Sequence, residues 1–360
     1  MGSGRATISD VARAAGVAPS TASVVFSGKT AVSDATRQRV LDAASSLGYT
    51  GPDPRAASLR RGRSGIVGVV FEEHLRTAFL DPVKTALMDG LTDAVAPLGA
   101  ALLLLRDDQT VDADGVAAEG GGATLGTAPL DAVVLVGCSG RLRESLQVIQ
   151  SRGIPVVVIE GDAGPDVPQI TLDNREAQRH AASHLRALGH ERVAIVTLPL
   201  TSDAVGEPVD DAAMQGATIA VTRERWQGAR DVYPDARAVS STASSIDEGW
   251  RAGRALLAAS PQPTAIIAQS DLLAAGVIRA AEAAGLRVPD DLSVTGFDGI
   301  TVDGLAPFEL TTLVQPGVEK GRAAGEAVAR MLGGQSVASI RYTCVFREGN
   351  TTAAPRDAAR

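Results

Sequence analysis

From Gly65 onward the chain alternates short runs of Val, Ile and Leu with longer amphipathic stretches, and this rhythm leaves few folds open. The apolar runs at 66–71, 100–105, 131–136, 154–159, 192–198, 264–268 and 292–296 have the length of strands. Runs that are apolar at successive positions suit strands covered on both faces. Between them, 82–97, 142–152, 174–188, 222–232, 246–259, 271–284 and 317–332 carry apolar residues at helical spacing. Such alternation predicts parallel sheets with helices on both faces. Two stretches break the rhythm. Residues 107–129, with Glu119-Gly120-Gly121-Gly122, read as a long flexible connection, and 199–217, with Pro199, Gly206, Pro208 and Gly216, as a surface loop. At 360 residues, two or three domains are expected, and 45% hydrophobic residues with only 3% aromatics suit Ala/Val/Leu cores.

The residues before Gly65 are of another kind. The run TISDVARAAGVAPSTASVV (7–25) fits two short helices around a tight turn at Gly16, where a residue free to take positive φ is wanted. Thr7 is placed to cap the first helix, with Asp10 three residues on, and Ile8, Val11, Ala12 and Ala15 form its inward face. Pro19 suits the first position of the second helix, where no N–H is needed. Ser33 caps a third helix through about Leu47, with Val40, Leu41, Ala44 and Leu47 inward. Gly51-Pro52-Asp53-Pro54 marks a linker, followed by a basic segment to Arg63.

Charge separates the two parts. Residues 1–65 hold nine Lys/Arg and four Asp/Glu, whereas the remainder holds 25 and 38, although the whole chain is at −8. A basic head on an acidic body suits a protein in which only the head meets phosphate. In a helix-turn-helix the second helix enters the major groove and its first residues face the base edges. Here those residues are Pro19, Ser20, Ser23 and Val24, with no Arg, Gln or Asn for bidentate base contacts. Readout then leans on serine hydroxyls and on an apolar contact of Val24 with a thymine methyl. Thr7, Thr21, Ser27, Lys29, Ser33 and Thr36 are placed as phosphate contacts, which set register.

These residues, with VSDATR (32–37) and LGY (47–49) behind them, resemble the LacI/GalR family of bacterial transcription regulators. The resemblance continues through HLRALGHERVA (184–194), RERWQGA (223–229), GLRVPDDLSVTGFD (285–298) and LTTLVQP (310–316), in the family's order. It implies a small all-α helix-turn-helix headpiece, a hinge, and an α/β core of two parallel-sheet subdomains like a periplasmic sugar-binding protein. The expected boundaries are 1–50 for the DNA-binding domain and 51–64 for the hinge. Residues 65–173 with 310–333 are expected to form the core's N-subdomain, and 174–309 with 334–360 its C-subdomain. The resemblance also implies a homodimer on a pseudo-palindromic operator in double-stranded DNA, with Leu59 as the hinge leucine that wedges into the minor groove. The spacing from Tyr49 to Leu59 is one residue longer than the family's common one, with Gly51 as the insertion. An effector, a sugar or related metabolite, is implied in the cleft at the carboxyl ends of the strands. Arg225 and Asp298 are its foremost contacts by motif, followed by Phe79, Ser270 and Asp271, with Asp173 and Trp250 behind them. Asp271 as a helix cap, Asp298 as a structural turn residue and Trp250 as core packing are the plainer alternatives.

No GxGxxG, GxSxG or phosphate-loop run appears, so an enzyme is not expected, and neither is a cofactor. His180 and His184 have metal-ligand spacing on a helix but no glutamate between them, and a metal site is not expected. Cys138 and Cys344 read as buried reduced thiols. With no signal-peptide pattern and no apolar run of about 18 residues, a cytoplasmic protein without membrane contact is expected.

Overall fold

The computed structural model describes residues 6–27, 31–51, 62–71, 75–106, 124–137, 142–201 and 206–356. Lys29, Leu59 and Cys138 lie outside them, as does most of the 107–129 connection. The backbone divides into two units, Met1–Gly65 and Ile66–Arg360.

The first unit is three helices: α1 (Ile8–Ala15), α2 (Pro19–Ser27) and α3 (Asp34–Ser46). Thr7 and Asp10 cap α1 reciprocally. The Thr7 hydroxyl accepts from the Asp10 N–H, and the Asp10 carboxylate accepts from the Thr7 N–H. Gly16 ends α1 at φ +65°, a turn that a side chain would strain. Val11, Ala12 and Ala15 close on Ala22 and Val25 of α2 and on Val40 and Ala44 of α3. Leu41 and Leu47, expected in this core, are 41% exposed. Leu41 sits about 100° round the helix from Val40, and Leu47 follows the last helical residue, so neither shares the Val40–Ala44 stripe.

The second unit holds two sheets. The first contains β1 (Ile66–Phe71), β2 (Ala101–Arg106), β3 (Ala132–Val136), β4 (Val156–Ile159), β5 (Gln169–Leu172) and β12 (Ile340–Tyr342). Its order is β12-β5-β4-β3-β1-β2, and every pair is parallel. The second contains β6 (Val193–Thr197), β7 (Pro208–Val209), β8 (Arg237–Ser240), β9 (Ala265–Ala268) and β10 (Ser293–Thr295). Its order is β10-β9-β6-β8-β7, parallel except at β7. A separate antiparallel pair joins β11 (Thr312–Val314) to β13 (Val345–Arg347).

Helices cover both faces of each sheet. On the first, α5 (Pro82–Val95) and α12 (Gly317–Leu332) pack one face through Leu87, Leu91, Ala324 and Val328, and α6 (Leu142–Ser151) packs the other through Leu146 and Ile149. A short α4 (Leu75–Leu80) precedes α5. The α5–α12 approach is set by glycine: a Cβ at Gly90 or Gly321 would stand 1.9 Å from a backbone oxygen of the other helix. On the second sheet, α10 (Ile246–Leu257) and α11 (Asp271–Ala283) cover one face, and α7 (Asn174–Ala187) and α9 (Ala220–Arg230) the other.

Two expectations are corrected. Residues 199–217 are not only a surface loop: they contain β7 and a helical turn, α8 (Asp211–Gln215), whose Val209 and Met214 are buried in the second sheet's core. The segment 334–360 is divided between the sheets: its β12 pairs in parallel with β5 of the first, while Thr351 and Ala353 bond to Val294 and Ser293 of the second.

Candidate functional site

The carboxyl ends of the strands bring together six polar side chains that neither layer could satisfy alone. Lys320 projects from α12 and is only 1% exposed. Its Nζ donates to Glu160 Oε1 and to Gln315 Oε1, both at 2.8 Å. Glu160 follows β4 directly, and its Oε2 accepts from Asn174 Nδ2 at 3.0 Å, at the start of α7. Asn174 Oδ1 accepts from Arg225 Nε at 2.9 Å. Arg225, on α9, faces Asp298 Oδ1 at 3.6 Å, an ion pair beyond hydrogen-bond length. Asp298 Oδ1 accepts from Gln315 Nε2 at 2.7 Å, which closes the ring. Glu160 and Lys320 belong to the first sheet's layer, Asn174, Arg225 and Asp298 to the second, and Gln315 follows β11 of the separate pair.

Arg225 is fixed further. Its Nη1 donates to the Gln269 carbonyl at 2.6 Å, and its guanidinium lies 3.5 Å from the centre of the Phe297 ring. Burial pushes Asp298 up to about 8; Arg225 opposes that rise, and Asp271 and Asp81 add to it. Burial also lifts Asp81, which caps α5 through the Val83 N–H at 2.9 Å, while Arg225 and Lys320 act against the lift. Glu224 is lifted too, first by burial and then by Glu160. Glu160 at φ 55° and Asp298 at φ 120° are the non-glycine residues with positive φ among the described residues. Each such conformation costs on the order of 1–3 kcal/mol and persists only where its surroundings fix it.

Of the effector residues expected from sequence, Arg225 and Asp298 meet in this ring. Ser270 and Asp271 bond elsewhere than in the ring. The Ser270 hydroxyl caps α11 at the Leu273 N–H and accepts from Ser244. Asp271 is 0% exposed; its Oδ1 accepts from the Thr312 hydroxyl at 2.6 Å, and its Oδ2 from the N–H groups of Gly299 and Ile300 at 2.7 and 2.9 Å. It thereby fixes the turn that carries Asp298, and burial pushes it up to about 7. Phe79 stands 49% exposed on α4. Asp173 accepts from the Cys344 N–H, and Trp250 packs on the second sheet's core. Burial pushes the Cys344 thiol up to about 12.

Sequence reading missed Glu160, Asn174, Gln315 and Lys320. A signal for Lys320 was present: it shares the apolar stripe of Gly317, Gly321, Ala324 and Val328 on α12. Glu160 is the first polar residue after four buried apolar ones.

His180 and His184 flank the Phe346 ring at 4.7 and 5.0 Å. Among the described residues no group of three His, Cys, Asp or Glu is placed to hold a metal, and no helix is long and apolar enough to cross a membrane. A separate cavity of about 380 Å³ opens at the amino ends of the second sheet's strands, between His190, Thr264, Asp291 and Arg356. Both ring nitrogens of His190 are bonded within the fold.

In the first unit, Pro19 and Ser20 are exposed at the start of α2, while Thr21, Ser23 and Val24 are half-buried. Ser27 ends the same helix. The hydroxyls of Ser33 and Thr36 are bonded to each other at 3.0 Å at the start of α3, and the Thr7 hydroxyl donates to Asp10 at 2.6 Å.

Residues 7–51 match the model of bacterial regulatory proteins of the lacI family, and residues 182–348 match a periplasmic binding protein-like domain. The HTH-type transcriptional regulator Rv3575c of Mycobacterium tuberculosis is 34% identical over 334 residues, covering 91% of each chain. The chain belongs to the LacI family of bacterial transcriptional regulators. Its relatives are regulators, not enzymes. The solved complex of the transcriptional regulator CelR with cellobiose superposes on this LacI-family chain with a TM-score of 0.67 and 25% identity, covering 96% of this chain and all of the other. The lac repressor dimer gives a TM-score of 0.76 at 22% identity over 98% of this chain and all of that one, a likeness of fold.

Proposed function

We propose that this regulator binds a pseudo-palindromic operator as a homodimer through α2 and releases or tightens it when a small-molecule effector occupies the cleft between the two sheets. The observation that carries the reading is the Lys320–Glu160–Asn174–Arg225–Asp298–Gln315 ring. It joins both layers through polar groups that a hydroxylated ligand would replace, so occupancy and layer spacing are coupled. CelR in its cellobiose complex has the same fold, which supports a sugar-like effector here. Arg225 and Asp298 are the foremost ligand contacts, with Phe79 at the mouth. Ser270 and Asp271 serve as support beneath them.

On DNA, Pro19, Ser20, Ser23 and Val24 face the bases, and Thr7, Thr21, Ser27, Lys29, Ser33 and Thr36 face the phosphates. This surface has few hydrogen-bonding groups. Specificity therefore rests on Leu59 in the minor groove and on deformability of the operator centre.

A gel shift on the chain's own upstream DNA tests the first half, with Leu59→Ala alongside. A specific complex weakened by the substitution is expected, and no specific complex at moderate salt refutes the reading. Calorimetric titration of sugars tests the second half: binding that survives both Arg225→Ala and Asp298→Ala places the ligand elsewhere.

A further inference from the structure

The Lys320–Glu160 pair carries information about what the cleft rejects. A buried ammonium at the carboxyl ends of parallel strands would by itself make a receiver for phosphate or carboxylate. Here it does not stand by itself. Two of the three donors of Lys320 go to Glu160 and Gln315 at 2.8 Å. Arg225, the other buried cation of the ring, faces Asp298 and is held by Asn174 and the Gln269 carbonyl. Of the neighbouring acids, Asp81 has Lys84 at 3.5 Å as well as Arg225 and Lys320 acting on it, and Arg341 and Arg223 act on Glu224. Lys320 is thus matched by Glu160 at hydrogen-bond distance, whereas Arg225 is held by neutral acceptors with Asp298 at 3.6 Å.

The backbone gives a second, independent observation. Glu160 and Asp298, the two carboxylates that face the two buried cations, are also the two non-glycine residues held at positive φ among the described residues. The Glu160 N–H donates to the Ile170 carbonyl at 3.0 Å, which pins that conformation. The fold keeps a strained backbone at both places where a carboxylate meets a buried cation.

We propose that Glu160 is the charge filter of the cleft: by matching the charge of Lys320 it confines the effector to uncharged, hydroxyl-rich molecules and excludes their phosphate esters and acids. The inference rests on the reading that the cleft holds an effector. A hydroxyl donates to a carboxylate and accepts from an ammonium, so an uncharged polyol replaces the ring's bonds one for one. An oxyanion finds Lys320 already neutralised and Glu160 repelling it.

The test is calorimetry on the full chain with hexoses, disaccharides and acyclic and cyclic polyols, each beside its phosphate ester, its acid and its amino derivative. For the wild type, a neutral compound binds, and its phosphate and acid forms bind at least about 10-fold more weakly, the worth of one charge-assisted hydrogen bond. Glu160→Gln keeps an acceptor for Asn174 and frees Lys320. Binding of the acid or phosphate form then rises at least about 10-fold by the same measure, while the neutral parent weakens. Lys320→Met weakens the neutral ligand and gains no anion. The inference is overturned if the wild type binds an acid, phosphate or amino form as tightly as the neutral parent. It is also overturned if Glu160→Gln, folded by circular dichroism and still shifting operator, gains no anion binding. Failure of every neutral compound to bind while the operator shift is intact overturns it too and leaves the DNA-binding reading standing. Loss of the wild-type operator shift refutes that reading instead.

Discussion

Replacing Lys320 by Met separates the charge of the ring from its packing. The lysine side chain is 2% exposed and its Glu160 partner 12%, so the pair sits where water cannot take over if one member is lost. Met fills most of the volume of the lysine stem, which keeps the cavity contribution small. What remains is electrostatic. Glu160 Oε1 and Gln315 Oε1 each lose a donor at 2.8 Å, and the Glu160 charge loses its ammonium partner while its Oε2 keeps the bond from Asn174. Removing one partner of a buried pair costs about 3–5 kcal/mol, most of it the stranded charge. Glu160→Gln placed on top of Lys320→Met removes that charge, so the double variant should recover about 2 kcal/mol relative to the sum of the single changes. Urea unfolding followed by tryptophan fluorescence measures this in the core alone, since the chain's two tryptophans, Trp226 and Trp250, both lie in the second sheet's layer. A cost below about 1 kcal/mol for Lys320→Met, or strict additivity in the double variant, would show that the pair is effectively solvated and the reasoning wrong.

Two further outcomes follow from the same geometry. Asp298 is pushed up to about 8 and Asp271 to about 7, above the unfolded value of about 3.9. The native state therefore holds extra protons between those limits. The stability these two groups contribute is fully present below about pH 4 and is lost as pH rises through 7–8. Melting temperatures from pH 5 to 9 should fall in the wild type relative to Asp298→Asn; a constant difference across that range contradicts the assignment. Gly321→Ala puts a methyl 1.9 Å from the Leu87 carbonyl oxygen and should cost about 1–3 kcal/mol or more in urea unfolding, whereas an unchanged midpoint would mean that α5 and α12 do not approach as closely as described.

How much of this was legible in the chain depends on the range over which each signal acts. The α1 cap, the Gly16 turn and Pro19 at the start of α2 were readable because each involves residues within four positions of one another. The buried strands of both sheets were readable because a strand covered on both faces is apolar at every position. The strands β5, β8, β11, β12 and β13 were not, being three or four residues long with polar residues among them. Their pairing depends on where the chain returns. Leu41 and Leu47 were misplaced because leucine in a helix reads as inward, while only packing against α1 and α2 selects the stripe that is buried.

The site divides in the same way. Sequence alone determined the helix-turn-helix, the alternating α/β core and the family, and it singled out Arg225 and Asp298, which the fold brings to 3.6 Å of each other; all of these are carried by local pattern or motif. Only the tertiary structure shows which groups Ser270 and Asp271 bond to. Asp271 looks like a ligand-facing carboxylate until Thr312, Gly299 and Ile300 are seen to occupy it. Only the tertiary structure joined Lys320 to Glu160, 160 positions apart. A lysine on an apolar helical stripe is a local anomaly that sequence can flag. Which carboxylate neutralises it, and hence what charge the cleft presents, is fixed by the return of the chain to the first sheet, a choice made by packing over the whole fold.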